Sequence, residues 1–290
     1  MTPPPAHLNW LLPSRQTWAL LTYCWQFFPL LTTIQWLVDW YPQGKTSVNS
    51  RFNLPGSWGW AAMEIPSLVI MSYLILILPR ENGIENLPWQ NWVMATMFII
   101  HYLNRAVLSP LFLNPSMSPL HVIVYIAGLL FNVSNSISLG GWLAAYGPVT
   151  PEQWSKRSTG VLVASASVWA AGLASNIYHD DVLRDIRRHA ARKQKARSDN
   201  GDTEKKSIAK VYEMPEKGLF SVILYPHFVS EWFEWLGFWA FAGWGCSPAR
   251  TYLLNEIATM LPRALQGKRW YVKKFGREKV GNRGAVLPGL

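Results

Sequence analysis

Apolar windows recur along the whole chain, broken by short polar stretches. They predict seven membrane-crossing helices near residues 16–38, 58–79, 89–112, 119–146, 158–180, 218–245 and 251–267. About 20 apolar residues are enough to cross the hydrocarbon layer of a bilayer. The first window carries no charged residue from Gln16 to Val38. It has neither a short apolar core nor a small-residue cleavage site, so it reads as a span rather than a signal peptide. The last window is interrupted by Glu256 and Arg263. No internal repeat and no separate soluble domain is visible. The expected fold is therefore an all-α membrane protein, a single bundle of seven transmembrane helices forming one domain over residues 1–290.

Composition supports the same class. Of the 290 residues, 15% are charged and 50% hydrophobic, whereas a soluble domain carries about 25% charged residues. Seventeen Trp suit the two membrane–water interfaces, where a ring with one apolar and one polar end is stable. Two Cys make neither a disulfide framework nor a zinc cluster. Six His without an HxxHH run fall short of the histidine clusters of membrane di-iron oxygenases, so no metal site is expected.

The position of the charge sets an orientation. Of 27 Lys and Arg, eleven lie in 184–217 and eight in 263–290. Seven spans bring both segments to one face, which the positive-inside rule makes cytosolic. The amino terminus then faces the lumen or exterior, the carboxyl terminus the cytosol, and residues 184–217 form a basic cytosolic loop. The stripe RDIRRHAARKQKAR at 184–197 lacks interleaved aromatics, so nucleic acid is not an expected partner. Membrane lipid with anionic headgroups or a phosphate-bearing ligand is.

Ionisable groups inside a bilayer cost several kcal/mol unless paired or hydrated, which makes each a candidate for function or for an interhelical ion pair. They are Glu64, Arg105, Asp180, Asp181, Glu231, Glu234, Glu256 and Arg263, with His101 and Tyr102 beside them. The local wording is specific. Span two reads Met63-Glu64-Ile65-Pro66-Ser67. Span three reads His101-Tyr102-Leu103-Asn104-Arg105 with Pro110 beyond, and His101 and Arg105 share a helix face. Asn176, Asp180, Arg184 and Arg187 follow helical spacing and form one stripe running into the basic segment. Later come Gly218-Leu219-Phe220, then Tyr225-Pro226-His227-Phe228 with Glu231 and Glu234. Arg263-Ala264-Leu265 leads finally to Arg269-Trp270-Tyr271 and Lys274-Phe275-Gly276.

In this order and spacing, the blocks from Trp58 to Gly276 resemble the membrane steroid 5-alpha-reductase family, the 3-oxo-5-alpha-steroid 4-dehydrogenases. The resemblance implies a seven-helix enzyme of the endoplasmic reticulum with a reductase core over about 58–290. Its implied reaction is reduction of a 3-oxo-4-ene steroid or related lipid-soluble enone with NADPH. Carried over residue by residue, it makes Glu64 and Tyr102 the pair that holds the substrate carbonyl oxygen. Asn176, Asp180, Arg187, His227, Glu231, Arg263 and Tyr271 become the cofactor contacts. Four places depart from the family pattern. Met63 stands where Gln is usual, Asn114 where an Arg follows the span-three proline, and Gly267 where a His is expected. Asn135-Ser136-Ile137-Ser138-Leu139-Gly140 lacks the Gln of the usual NGxxQG wording. The basic segment is also longer than the family's.

The chemistry is consistent with these roles. Hydride addition to an enone puts negative charge on the carbonyl oxygen, and a donor aimed there is typically worth about 2.7–4 kcal/mol. A Tyr hydroxyl donates without ionising, whereas a Glu donates only when protonated, the form that apolar surroundings favour. Nicotinamide supplies the hydride, so no protein nucleophile is required. No GxGxxG occurs, which leaves phosphate binding to the guanidinium groups of Arg187 and Arg263. Asn176 and Asp180 could orient the carboxamide or ribose hydroxyls, and Glu231 could bind a hydroxyl or pair with an Arg. Three rival readings remain at this stage. One is a reductase of another lipid, such as an enoyl-CoA, polyprenol or sterol. Another is a membrane methyltransferase of the isoprenylcysteine or phospholipid type, and the third is a scaffold or channel.

Overall fold

The computed structural model describes residues 12–38, 40–199 and 212–289. Three short helices come first: α1 (Arg15–Trp25), α2 (Phe28–Thr32) and α3 (Ile34–Leu37). A 3-10 turn at Gly44–Thr46 and the two-residue strand β1 (Asn53–Leu54) lead to α4 (Gly56–Glu81). Helix α5 (Trp89–Tyr102) continues in π winding through Leu103–Leu113. Strand β2 (Leu120–His121) then opens α6 (Val122–Gly141), which also ends in a π turn at Trp142–Tyr146. The remaining helices are α7 (Pro151–Trp154), α8 (Thr159–Asp199), α9 (Pro226–Ala242), α10 (Ser247–Phe275) and α11 (Arg277–Val280). The strands pair antiparallel, Asn53 opposite His121 and Leu54 opposite Leu120, and tie the start of α4 to the start of α6.

Among the described residues, four helices are long and apolar enough to cross a membrane: 56–81, 89–113, 122–146 and 159–193. The chain is thus a helical membrane protein, and these four coincide with expected spans two to five. The other three expected spans take different forms. Residues 16–38 do not make one helix, because Pro29 at the start of α2 has no N–H to continue the ladder of α1. The hydroxyls of Thr32 and Thr33 then bond back to the Pro29 and Leu30 carbonyls at 2.8 and 2.6 Å. The 218–245 window begins as a 3-10 turn at Gly218–Ser221 and becomes α-helical only from Pro226, leaving 17 helical residues. The 251–267 window is the middle of the 29-residue α10. The basic segment differs as well. Its first part is a continuation of α8 through Asp199 rather than a loop, and 200–211 lie outside the described residues.

Small residues set the closest helix contacts. A methyl group at Gly172 of α8 would lie 2.6 Å from the Glu234 Cα, and one at Gly237 of α9 would lie 2.9 Å from the Trp169 Cα. The backbones of α8 and α9 therefore touch, as small residues allow within membranes. A methyl at Gly128 of α6 would meet the Met63 side chain, with its Cγ at 3.0 Å. Met63 thus fills the α4–α6 seam. The largest core joins α4, α5, α6, α8, α9 and α10 around Phe98, Tyr102, Trp154, Trp235 and Tyr252.

Candidate active site

A cavity of about 410 Å³ opens between α4, α5, α6 and α10, with α2 and α3 along one side. Its walls are mostly apolar and include Trp25, Phe28, Ile34, Trp60, Val124 and Phe131. Into it come Glu64, His101, Tyr102, Arg105, Asn132, Glu231, Tyr252, Glu256, Thr259 and Arg263. An apolar cleft with a few convergent polar groups is the usual form of a small-molecule site.

Tyr102 and Glu64 are both buried here, and Asn132 lines the cavity with them. The Tyr102 hydroxyl donates to Asn132 Oδ1 at 3.0 Å. The Asn132 amide nitrogen donates to the Met63 carbonyl at 3.0 Å and faces the Glu64 carboxyl. The Tyr102 hydroxyl also lies 2.7 Å from that of Tyr252 on α10. On the other side of Tyr102, a charged cluster ties α5 to α9. His101 Nδ1 is 2.8 Å from Glu234 Oε1, and its Nε2 is 3.7 Å from Glu231 Oε1. Arg105 Nη1 is 3.7 Å from Glu231 Oε2. Two carboxylates, one guanidinium and one imidazole thus share a buried space in which an unpaired charge would cost several kcal/mol.

The sequence-derived cofactor residues fall into two neighbouring groups. Asn176 of α8 donates to the His227 carbonyl at 2.8 Å and to Glu231 Oε2 at 3.3 Å. Asp180 sits one turn further along α8, 3.7 Å from Arg184. Arg187 donates to the Ser116 carbonyl at 2.9 Å. The Arg263 guanidinium lies over the rings of Tyr41 and Phe228, at 4.4 and 5.7 Å from their centroids. Of the seven, Glu231 and Arg263 face the cavity directly. Tyr271 lies beyond it, and the connecting residue is Lys45.

Lys45, in the turn before β1, was not visible as a site residue in the sequence. Its ammonium sits 4.3 Å from the Tyr271 ring centroid and 4.9 Å from that of Tyr225. Burial, together with the nearby Arg187, lowers its pKa from 10.5 to about 7. Among the described residues, no carboxylate lies within ion-pair reach of Lys45, Arg187 or Arg263. The buried Nδ1 of His227 also has no hydrogen-bond partner among the described residues. Cations without an ion-paired carboxylate, beside an unpartnered polar atom, are what a bound polyphosphate would require. The residues present therefore fit a phosphorylated dinucleotide. In the sequence Lys45 is a lone cation between spans, and such residues are ordinarily solvated.

The departures from the family pattern have structural counterparts. Asn114 Nδ2 donates to the Ser109 carbonyl at 2.8 Å and closes the π-wound segment. At Gly267 the Tyr225 hydroxyl occupies the volume that a side chain would need. Trp25 Nε1 donates to Asn135 Oδ1 at 2.7 Å, and Trp18 Nε1 donates to the Ser138 carbonyl at 2.9 Å. The 135–140 segment therefore holds α1. Asn132 and Tyr252 were missed because neither is ionisable at neutral pH, and an aromatic in a membrane helix is commonplace. Among the described residues, no group of three or more His, Cys, Asp or Glu could hold a metal ion.

The family model described as 3-oxo-5-alpha-steroid 4-dehydrogenase matches residues 118–290. An uncharacterised protein of Schizosaccharomyces pombe is 34% identical over 264 residues, covering 86% of this chain and 90% of that protein. A steroid 5-alpha-reductase of Solanum lycopersicum is 27% identical over 91% of this chain and 92% of its own length. The 3-oxo-5-alpha-steroid 4-dehydrogenase 1 of Bos taurus is 27% identical over 81% and 82%. The chain belongs to the 3-oxo-5-alpha-steroid 4-dehydrogenase family, oxidoreductases that act on CH–CH groups.

Proposed function

We propose that the chain reduces the conjugated C=C of a 3-oxo-4-ene steroid, or of a steroid-like enone, with NADPH as hydride donor. The observation that carries this reading is the convergence of Tyr102, Glu64 and Asn132 in one apolar cavity, with Tyr102 donating to Asn132. When bound, NADPH supplies the hydride to the β-carbon of the enone. Tyr102 donates to the substrate carbonyl oxygen, leaving Asn132, and so stabilises the negative charge that develops there. Glu64, in its protonated form, is the second donor. The apolar walls exclude water and strengthen both contacts.

Lys45, Arg187 and Arg263 hold the cofactor's phosphates. Tyr271 stands beside them, and Asn176, Asp180, His227 and Glu231 hold the hydroxyls and carboxamide. Glu231 is itself fixed by Arg105 and Asn176, so that it presents one oxygen at a defined place. In the membrane of the endoplasmic reticulum, the 16–38 and 218–245 segments and the long helix α10 complete seven crossings. The basic end of α8 and the carboxyl terminus are cytosolic, and the amino terminus is lumenal.

The test is NADPH oxidation by the purified membrane protein with a panel of steroidal and other enones. The products are identified by mass spectrometry, and S-adenosylmethionine is titrated in parallel. Saturable reduction of a 3-oxo-4-ene is expected. Binding of S-adenosylmethionine without NADPH binding would overturn the reading.

A further inference from the structure

None of the sequence blocks that carry the family resemblance contains Tyr252. Its hydroxyl nevertheless lies 2.7 Å from that of Tyr102, and valence decides which group donates. The Asn132 nitrogen is committed to the Met63 carbonyl at 3.0 Å, so its oxygen faces Tyr102. An amide oxygen only accepts, so the single Tyr102 proton points to Asn132 at 3.0 Å. The short Tyr102–Tyr252 contact must then use the Tyr252 proton. Tyr252 has little freedom to turn elsewhere. It is 1% exposed, and its ring is tilted against that of Trp235 at a centroid distance of 3.9 Å.

We propose that Tyr252 is a positioning residue for the reduction, donating a hydrogen bond into the Tyr102 oxygen while Tyr102 donates to the substrate carbonyl. This rests on the carbonyl-binding role proposed for Tyr102. The two hydroxyls then form a chain in which each bond polarises the next. In the ground state the carbonyl is neutral and the chain gains little. As hydride reaches the β-carbon, the C=C electron pair moves toward the carbonyl oxygen, and that oxygen draws harder on the Tyr102 proton. The Tyr102 oxygen becomes more negative, and the bond from Tyr252 strengthens with it. An interaction that grows only toward the transition state appears in kcat rather than in KM. It leaves cofactor binding alone, because Tyr252 lies in the substrate cavity and outside the Lys45 cluster.

The experiment compares the full-length parent with Tyr252→Phe, Tyr102→Phe and the double variant. The substrate is the enone that the parent reduces fastest. Phenylalanine keeps the ring against Trp235 and removes only the hydroxyl. Turnover is read well below each melting temperature, with NADPH affinity measured by titration on the same preparations.

Tyr252→Phe is expected to lower kcat about tenfold, equivalent to about 1.4 kcal/mol of barrier. KM and NADPH affinity should stay within about twofold, and melting should fall by no more than a few degrees, as for one hydrogen bond. In the Tyr102→Phe background, Tyr252→Phe should have no further effect on kcat, because the oxygen it serves is gone.

Unchanged kcat in Tyr252→Phe, with Tyr102→Phe impaired, overturns the inference and leaves the Tyr102 reading standing. Equal losses in both backgrounds also overturn it, since Tyr252 would then act without Tyr102. Full turnover in Tyr102→Phe, or no enone reduced by the parent, overturns the Tyr102 reading and this inference together.

Discussion

Gly267 offers a test in which two physical effects compete. Alanine at a helix-interior glycine normally stabilises by about 1 kcal/mol, because it restricts the unfolded chain. Here the new methyl would fall within the Tyr225 hydroxyl and the ring carbon that bears it. It would also lie 2.8 Å from the next ring carbon, where ordinary contact begins at 3.4 Å. Tyr225 has little room to retreat. It is 7% exposed, its ring packs 5.0 Å from Phe228 and 5.5 Å from His227, and Lys45 rests on its face. Overpacking a filled site costs about 1–3 kcal/mol, and losing a partly desolvated cation–π contact adds about 1 kcal/mol. The clash should outweigh the helix gain, leaving Gly267→Ala less stable by about 1–3 kcal/mol and melting several degrees lower. Its NADPH affinity should fall as well, since Lys45 loses one of its two rings.

The companion variants make the reasoning strict. Tyr225→Phe in the Gly267→Ala background should not restore stability, because the ring carbons still overlap the methyl. Tyr225→Leu should recover part of the melting temperature without recovering NADPH affinity. The assay is thermal melting of the detergent-purified protein, with NADPH titration alongside. A Gly267→Ala protein that melts at or above the parent would refute the argument, since helix propensity would then have decided the outcome.

Five further outcomes follow from the proposed assignment. Lys45 gives up its proton near pH 7 in the folded chain, so NADPH affinity should weaken as pH rises from 6 to 8, and Lys45→Met should flatten that profile. The unfolded chain holds the same proton to about 10.5, so the Lys45 contribution to cofactor-free stability should rise with pH between 7 and 10.5, as melting curves would show. Arg187→Ala and Arg263→Ala should each weaken NADPH binding about tenfold with melting retained; parent-like titrations in both would mean that the phosphates bind elsewhere. Glu64→Ala should cost about a hundredfold in enone turnover and Glu64→Gln less, with NADPH titrations unchanged. Cysteine labelling in sealed microsomes should find position 192 accessible from the cytosol; protection there would reverse the orientation.

The parts of the fold and site that were legible in the sequence are those where one local signal dominates. Long apolar runs gave spans two to five, and Glu64, Tyr102, Glu231 and Arg263 stood out as polar groups where lipid was expected. The break in the first window was harder to see. Pro29 suits the first turn of a helix as well as it interrupts one, and only its place between α1 and α2 decides which. The basic segment reads as a loop by charge, yet the helical spacing of Asn176, Asp180, Arg184 and Arg187 runs into it, and α8 continues through Asp199. Lys45 and Tyr252 had no local signal at all. The roles proposed for them rest on partners far along the chain, Tyr271 for one and Tyr102 for the other.

The cavity draws on the two halves of the chain unequally. Nearly all the apolar wall facing the substrate space comes from the residues before 133, whereas the later helices contribute Glu231, Tyr252, Glu256, Thr259, Met260 and Arg263. The seven cofactor residues named from the sequence all lie at or after Asn176. Under the proposed assignment, the contour of the cavity and seven of the eight cofactor contacts are recorded in separate stretches of the gene, with Lys45 on the early side together with Glu64 and Tyr102. On that assignment a lineage can redraw the contour of the lipid it accepts by altering the early apolar wall, provided that Lys45, Glu64 and Tyr102 are kept. Grafting the amino-terminal half of one such protein onto the carboxyl-terminal half of another should accordingly exchange substrate preference while conserving the coenzyme.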